Sequence, residues 1–430
     1  MRRTIFLSLN HLTFHLKIKV MYNKNTEHKS NRRDFFGKAG AGFAAMAMLP
    51  GLSFGREKQP SALESSIYEA EKSKVWAPIS DRKVRVGLVG YGASKFGASF
   101  GFQNHPNVEV VAVSDLFPDR CQALAKATNC KKTYPSLEEL VKDDKIEAVW
   151  VATDAPSHPR HCIEVLKHGK HVAHAVPVTY GSIEQGEELL EVVKKNRGLK
   201  YMMFETSCMR ANLHAMRTIY RAGGFGKVVY TEGEYYHGSP LFTPPGYQGI
   251  GSYKNWRNGG PPQWYCTHSN AYHIGITDGT FTEVSCIGYN SGKNPKNNPY
   301  NNPFNAEVAI FRTSEGAMSR MMRSSATPGT PSETGRLRGT EGWFDETYEG
   351  RMEELPDLTR PVLPPGVPEG GHGGSHGRLM QEFIYSIIED RKPLVDIATA
   401  LNITIPGIVA HESAVKGGEW MKIPQYSLDV

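Results

Sequence analysis

The sequence predicts an α/β protein whose first half, after a basic leader, is a doubly wound parallel sheet. Three observations predict it. A β-branched run, Lys83 to Val89, ends on Gly90-Tyr91-Gly92; a second apolar run, Val108 to Ser114, ends at the acid Asp115; and strand-like and helix-like segments then alternate as far as Phe204. Alternation of this kind argues parallel strands joined by crossover helices.

Each element has its own signal. Ser136-Leu137-Glu138-Glu139 is a capping box that opens a helix, and Ile146 to Thr153 is a continuous apolar run suited to a buried strand. Pro159 to Lys167 reads as a helix closed by Gly169, with His171 to Ala175 as the next strand. Ser182 with Gln185 caps a further helix through Lys195, and Lys200 to Phe204 is the strand after it.

A strand that runs into Gly-x-Gly and then a helix is the first turn of a dinucleotide-binding Rossmann fold. Glycines let the backbone turn tightly and approach a pyrophosphate at the helix N-terminus. Gly90, Gly92, Ala93 and Ser94 are the candidates for that turn, and the third glycine is displaced to Gly97. Asp115 follows Gly92 by 23 residues, near the spacing of a carboxylate that binds the adenosine ribose hydroxyls. An acid there repels a 2′-phosphate, so NAD is expected over NADP.

The chain has 430 residues and a formal net charge of +6. Residues Met1 to Glu57 carry ten Lys/Arg and three Asp/Glu, which leaves −1 for the rest. The basic balance therefore belongs to the leader, and nucleic-acid binding is not expected. Asn31-Arg32-Arg33-Asp34-Phe35-Phe36 precedes a weakly apolar run, Ala39 to Leu52, in the manner of a twin-arginine export signal. An uncleaved basic tail is the alternative. Met21 is a candidate start, cleavage is expected between Ala47 and Gly55, and the apolar run is too short for a permanent membrane anchor. Export predicts a periplasmic or otherwise extracytoplasmic protein. The six cysteines show no metal-ligand spacing and read as buried free thiols, and no metal site is expected.

Beyond these signals the chain resembles the Gfo/Idh/MocA oxidoreductase family. The resemblance rests on Val86 to Gly92, Asp115, the Val151-Ala152-Thr153 loop with His158, and Gly169-Lys170-His171-Val172 leading to Ala175-Val176-Pro177. It implies NAD contacts from Thr153, His158, Val176 and Pro177. It also implies a second half with an open, mostly antiparallel sheet, and homo-oligomers formed through that sheet. Four strands are consistent with it: 229–234, 283–289, 306–313 and 317–324. The expected organisation is a signal over 1–55, a linker over 56–82, a Rossmann domain over 83–205 and a substrate-binding α/β domain over 206–430. Helices are expected over about 378–390 and within 397–416.

Two departures bear on activity. The family's Glu-Lys-Pro is replaced by Ala175-Val176-Pro177, so the lysine that helps activate the substrate hydroxyl is absent. The family's catalytic Asp falls at Trp264, while its histidine falls at His268. A specialised branch looks more similar: the NAD-dependent glycoside hydrolases, including exo-acting α-N-acetylgalactosaminidases. Its features are met by Val176-Pro177, Tyr265-Cys266-Thr267-His268, Met202-Met203-Phe204-Glu205 and Gly370-Gly371-His372-Gly373-Gly374, although Met209 stands where the branch has a tyrosine.

That resemblance implies a carbohydrate substrate and a redox-neutral cycle. A sugar carbon, C3 by resemblance, is oxidised; the neighbouring C–H is acidified; the C1 leaving group is eliminated; water adds; and the ketone is reduced back. His268 is the leading acid/base candidate, since imidazole titrates near neutrality. Tyr265, His273 and His174 are further candidates, and each also reads as a packing residue. His372 and His376 lie in a glycine-rich loop suited to sugar-hydroxyl contact, and Trp264 could stack on a sugar face or pack in the core. A conventional NAD-dependent sugar dehydrogenase and a non-catalytic sugar-binding protein remain as alternatives.

Overall fold

A computed structural model describes residues 75–92, 94–237, 256–257, 259–292, 298–326 and 331–428. The leader, the linker up to residue 74, and Ala93 lie outside the described residues.

The first half forms a six-stranded sheet of order β3-β2-β1-β4-β5-β6. Its strands are β1 (Val84–Val89), β2 (Val108–Ser114), β3 (Thr133–Tyr134), β4 (Ala148–Val151), β5 (His171–Ala175) and β6 (Tyr201–Phe204). All neighbouring pairs run parallel. The order reverses between β1 and β4, and in such sheets ligands bind beyond the strand C-termini at that switch point. The helices are α1 (Phe96–Ser99), α2 (Pro118–Thr128), α3 (Leu137–Leu140), α4 (His158–Lys167), α5 (Ile183–Lys195) and α6 (Ala211–Arg221). The expected caps form: Ser136 Oγ accepts from the Glu139 N–H, and Ser182 Oγ from the Gln185 N–H.

Two helices whose lengths the sequence leaves open are short. The helix after the glycine turn is a single turn, α1, ended by Phe100 and by Gly101 at φ 79°. The capping box at Ser136 likewise opens only one turn. A cap signals a start and carries no information about length, which packing decides.

The second half forms an eight-stranded sheet of order β13-β12-β11-β7-β10-β9-β8-β14. It comprises β7 (Val228–Tyr236), β8 (Phe281–Tyr289), β9 (Ala306–Thr313), β10 (Met318–Ser324), β11 (Ser332–Gly339), β12 (Gly342–Asp345), β13 (Thr347–Gly350) and β14 (Met421–Lys422). β7 and β10 pair in parallel, while the other pairs are antiparallel. Strands β11 to β13 are absent from the sequence reading. Their text, Ser332 to Gly350, is polar and glycine-rich, because little of it is buried.

Helix α7 (Thr267–Thr277) lies on the inner face of this sheet and is buried along its whole length. Glycines let it settle there. A Cβ on Gly233 of β7 would stand 2.2 Å from the Ser269 carbonyl oxygen, and one on Gly335 of β11 would stand 2.2 Å from the Tyr272 ring. Helices α8 (His376–Ile388) and α9 (Ile397–Val415) complete the core. Among the described residues, Ile287, Ile310 and Met318 of this sheet's strands are exposed. All six cysteines are buried free thiols. Among the described residues no helix is long and apolar enough to cross a membrane.

The close approach of α7 to β7 gives a direct test. Gly233→Ala forces the helix off the strand, and overpacking of this kind costs about 1–3 kcal/mol. The variant is expected to melt several degrees below the parent in a thermal scan. An unchanged melting temperature would mean that the helix does not depend on that glycine.

Candidate active site

The C-terminal ends of the parallel strands gather the nucleotide-binding candidates. Gly90 adopts φ 99°, and a Cβ on it would lie 2.4 Å from the Ala152 carbonyl oxygen. A Cβ on Gly97 would meet the Gly90 carbonyl oxygen at 2.4 Å, so the displaced third glycine serves close helix–strand packing. Asp115 follows β2, where its two oxygens accept from the Tyr91 N–H at 2.6 Å and the Phe117 N–H at 2.9 Å. These bonds brace the carboxylate against the glycine turn and leave each oxygen a lone pair for a hydroxyl donor. The tight turn and the braced acid fit NAD. Gly92 and Ser94 continue that turn.

His158 bridges the loops after β4 and β5, with Nδ1–H donating to the Pro177 carbonyl oxygen at 2.7 Å. Val176 and Pro177, joined by a cis peptide, are held there. Thr153 turns its hydroxyl to His161 Nδ1 at 2.9 Å.

The leading acid/base candidate, His268, sits at a contact between the two halves of the fold. Glu205 follows β6 and is 0% exposed. Its Oε1 accepts from the Ser207 N–H at 2.9 Å and from His268 Nδ1–H at 2.8 Å. Because a carboxylate only accepts, the His268 proton sits on Nδ1 in the neutral ring. Nε2 then carries the lone pair, and it has no hydrogen-bond partner among the described residues. This is a proton acceptor oriented by a buried acid, the arrangement general-base catalysis uses.

Glu333 of β11 completes the cluster. Ser207 Oγ donates to its Oε1 at 2.5 Å, and Arg210 Nη1 lies 3.8 Å from its Oε2. Burial opposes the charged form of His268, but Glu205 and Glu333 outweigh it and lift the pKa above the ordinary imidazole range. Burial likewise opposes ionisation of Glu333, and Arg210 with the nearby histidines outweighs that and holds its pKa low. Glu205, His268 and Glu333 each offer a ligand atom within 4.8 Å of the others, a geometry open to a metal ion. Arg210 near Glu333 and the His268 Nδ1–H on Glu205 already face the two carboxylates.

Aromatic rings wall the site. Tyr235 meets His268 edge-on at 4.5 Å and Tyr265 lies 5.6 Å from it, with Arg257 over the Tyr265 ring at 5.1 Å. His372 stacks beside His268 at 5.8 Å, and His376 follows it at 2.9 Å.

Other sequence candidates stand elsewhere. His174 is enclosed in the parallel sheet, with Nδ1 2.6 Å from the Ala175 carbonyl oxygen and Nε2 2.5 Å from the Tyr201 hydroxyl. Burial holds it neutral, and both nitrogens are engaged, so it does not reach the cluster. His273 sits further along α7, between Thr231 Oγ1 and Glu315 Oε1, each at 3.1 Å, with its ring on Phe281. Trp264 packs among Tyr180, Tyr300 and His411, above Gly181. Ser207, Arg210 and Glu333 are not singled out by the sequence, and Glu205 is named there only as the end of the Met202–Glu205 motif, without a role. Glu205 had a signal, an acid closing an apolar strand as Asp115 does. Glu333 had none, since its strand was not legible.

Comparison with known proteins gives the relatives. Residues 84–204 match the family described as "Oxidoreductase family, NAD-binding Rossmann fold", GFO_IDH_MocA. A Solibacter usitatus protein named "Glycosyl hydrolase family 109 protein" is 25% identical over 80% of this chain and 88% of its own length. One of the same name from Saccharopolyspora erythraea is 22% identical over 90% and 92%. A Bacteroides fragilis protein, "Glycosyl hydrolase family 109 protein 1", is 31% identical, but the match spans only 37% of this chain and 36% of that protein. Among solved structures, a levoglucosan dehydrogenase in complex with NADH and levoglucosan aligns with TM-score 0.65 and 17% identity, over 80% of this chain and all of that one. The myo-inositol 2-dehydrogenase of Lactobacillus plantarum aligns with TM-score 0.63 and 15% identity over the same shares. At these identities the structural likeness speaks to fold alone.

Two measurements check the electrostatics. Glu205→Gln removes the charge that lifts His268, so its imidazole titration, followed by NMR, is expected to move to lower pH. The raised pKa stabilises the fold at mildly acid pH, and that contribution fades as pH rises through the pKa of folded His268. The parent's melting advantage over Glu205→Gln should therefore narrow with rising pH; a constant gap would argue against the ion pair. Separately, elemental analysis of dialysed protein is expected to find no stoichiometric divalent ion, and one tightly held equivalent would reassign the cluster to metal binding.

Proposed function

We propose, for a chain whose residues 84–204 match the Gfo/Idh/MocA family of NAD-binding oxidoreductases, that the His268 cluster acts on a sugar or glycoside. The finer reading is redox-neutral cleavage of a glycosidic bond. The observation that carries it is the buried Glu205–His268 pair, which leaves one imidazole lone pair free beside an aromatic wall.

In this reading Glu205 fixes the His268 tautomer, and Nε2 takes the proton from the sugar hydroxyl being oxidised. NAD, which the Gly90–Gly92 turn and Asp115 would hold, would supply the hydride acceptor and donor for that carbon. Tyr235 and Tyr265 wall the sugar and exclude water from the oxidised carbon. Arg210 and Ser207 hold Glu333 ionised beside His268, which steadies the imidazolium formed by proton transfer. Val176 and Trp264, in place of the family's lysine and aspartate, leave proton transfer to the histidine. The names of the near full-length relatives also support glycoside cleavage.

A cycle that ends with the cofactor unchanged needs no external nicotinamide supply. That suits a protein with an export leader, and we take the extracytoplasmic side as its place of action. A conventional dehydrogenase is the second reading. It is favoured by the sufficiency of one oriented base, His268, for alcohol oxidation.

Purified protein with NAD, challenged with nitrophenyl α- and β-glycosides, is expected to release nitrophenol over many turnovers without net absorbance gain at 340 nm. Steady NADH accumulation from a free sugar, with no nitrophenol from any glycoside, would move the assignment to a dehydrogenase. His268→Ala is expected to lower the turnover by about 100-fold or more, the usual scale of a lost general base.

A further inference from the structure

A second histidine in this cleft has its protonation fixed by the backbone. His376 Nδ1 lies 3.3 Å from the Ser99 carbonyl oxygen, at the end of α1. A carbonyl only accepts, so this nitrogen carries the proton and His376 Nε2 is an acceptor. His372 Nδ1 stands 2.9 Å from that Nε2 and must donate to it. The His372 lone pair is thereby forced onto Nε2, which has no hydrogen-bond partner among the described residues. Glu205, accepting from Nδ1–H, likewise leaves the lone pair of His268 on its Nε2. Two imidazoles with fixed tautomers thus stand ring to ring, 5.8 Å apart and 25° from parallel.

We propose that His372 is the base that removes the carbon-bound proton beside the ketone, and that His376 is the residue that positions and primes it. The inference rests on the redox-neutral reading above. That cycle needs two proton acceptors, one for a hydroxyl and one for a C–H, whereas alcohol oxidation alone needs one. In the step assigned to His372, the C–H bond breaks and its electron pair forms a double bond to the anomeric carbon. The bond from that carbon to the leaving oxygen breaks with its own pair. The proton goes to His372 Nε2, the leaving oxygen takes a proton from solvent, and the reverse sequence with water restores the sugar.

Backbone conformation supports a role beyond packing. His372 sits at φ 54°, ψ 51°, a left-handed conformation that disfavours a residue bearing a Cβ. Four glycines, Gly370, Gly371, Gly373 and Gly374, flank it. Holding a histidine there is strained, where a fifth glycine would not be. The protonation preferences also separate: burial holds His372 below the ordinary imidazole range, with Glu333 opposing, whereas His268 is held above it. Groups whose environments push them apart in this way can take different acid–base parts. His376 is pressed down to about 4 by burial and by His372, so it stays neutral, and its ring stacks on Phe100 at 4.1 Å.

The test separates oxidation from proton removal. The parent enzyme with NAD and a reactive glycoside is incubated in heavy water. Three quantities are followed: the first-turnover 340 nm signal, deuterium entry at the carbon beside the oxidised one, and aglycone release. His372→Asn, which tolerates the left-handed backbone, is expected to keep the 340 nm signal and NAD affinity within about threefold. Deuterium entry and release should fall by about 100-fold or more, the scale of a lost general base. His376→Gln, which retains an acceptor for His372, should keep deuterium entry. His376→Phe, which retains the ring but no acceptor, should lose it while still oxidising. Unimpaired deuterium entry in His372→Asn would overturn the assignment. A parent enzyme that oxidises sugars yet shows neither deuterium entry nor release would overturn the redox-neutral reading itself, and the role of His372 with it.

Discussion

The structure of the site depends on one buried contact, the 2.8 Å hydrogen bond between Glu205 and His268. Glu205 ends the parallel sheet, and His268 rides on the helix that lies across the second sheet. A buried carboxylate is tolerated only when it is paired, and removing its partner leaves an uncompensated charge that typically costs about 3–5 kcal/mol. The pair therefore ties the chemistry to the fold. It docks α7 against the end of β6 and fixes which nitrogen of His268 is free.

Several features follow from holding α7 at that depth. The helix comes so close to β7 and β11 that glycine is required at 233 and 335. With its ring pinned by Glu205, His268 is walled by Tyr235, which belongs to the same strand as Gly233. Glu333 reaches the cluster because β11 pairs with β7 in register, placing Glu333 opposite Tyr235. The glycine-rich loop then closes the cleft against α1, so the nucleotide turn and the His372–His376 file share the backbone around Ser99.

The parallel sheet was legible because its signals are local: glycines at a turn, an acid after a strand, serine caps, and apolar runs of strand length. His268 and the two loop histidines were legible through motif resemblance. What escaped was tertiary in origin. Glu333 lies on a polar strand that pairs at the sheet's outer half and carries no alternating apolar pattern. Arg210 and Ser207 follow β6 in a short turn whose partners are distant in sequence. His174 and His273 read in the sequence as either acid/base or packing residues, and in the fold His174 is engaged by Ala175 and Tyr201 while His273 meets Thr231 and lies beside Glu315. A histidine's availability depends on which neighbours its ring meets, and no local pattern records that.

The central claim is that His268, oriented by Glu205, serves a cycle in which the sugar carbon is oxidised and then restored. The most direct measurement uses a glycoside deuterated at the carbinol carbon that is oxidised. The account predicts that the released sugar retains this deuterium, while the neighbouring carbon exchanges with solvent. Loss of the label from the sugar into reduced cofactor, with the glycosidic bond intact, would contradict it.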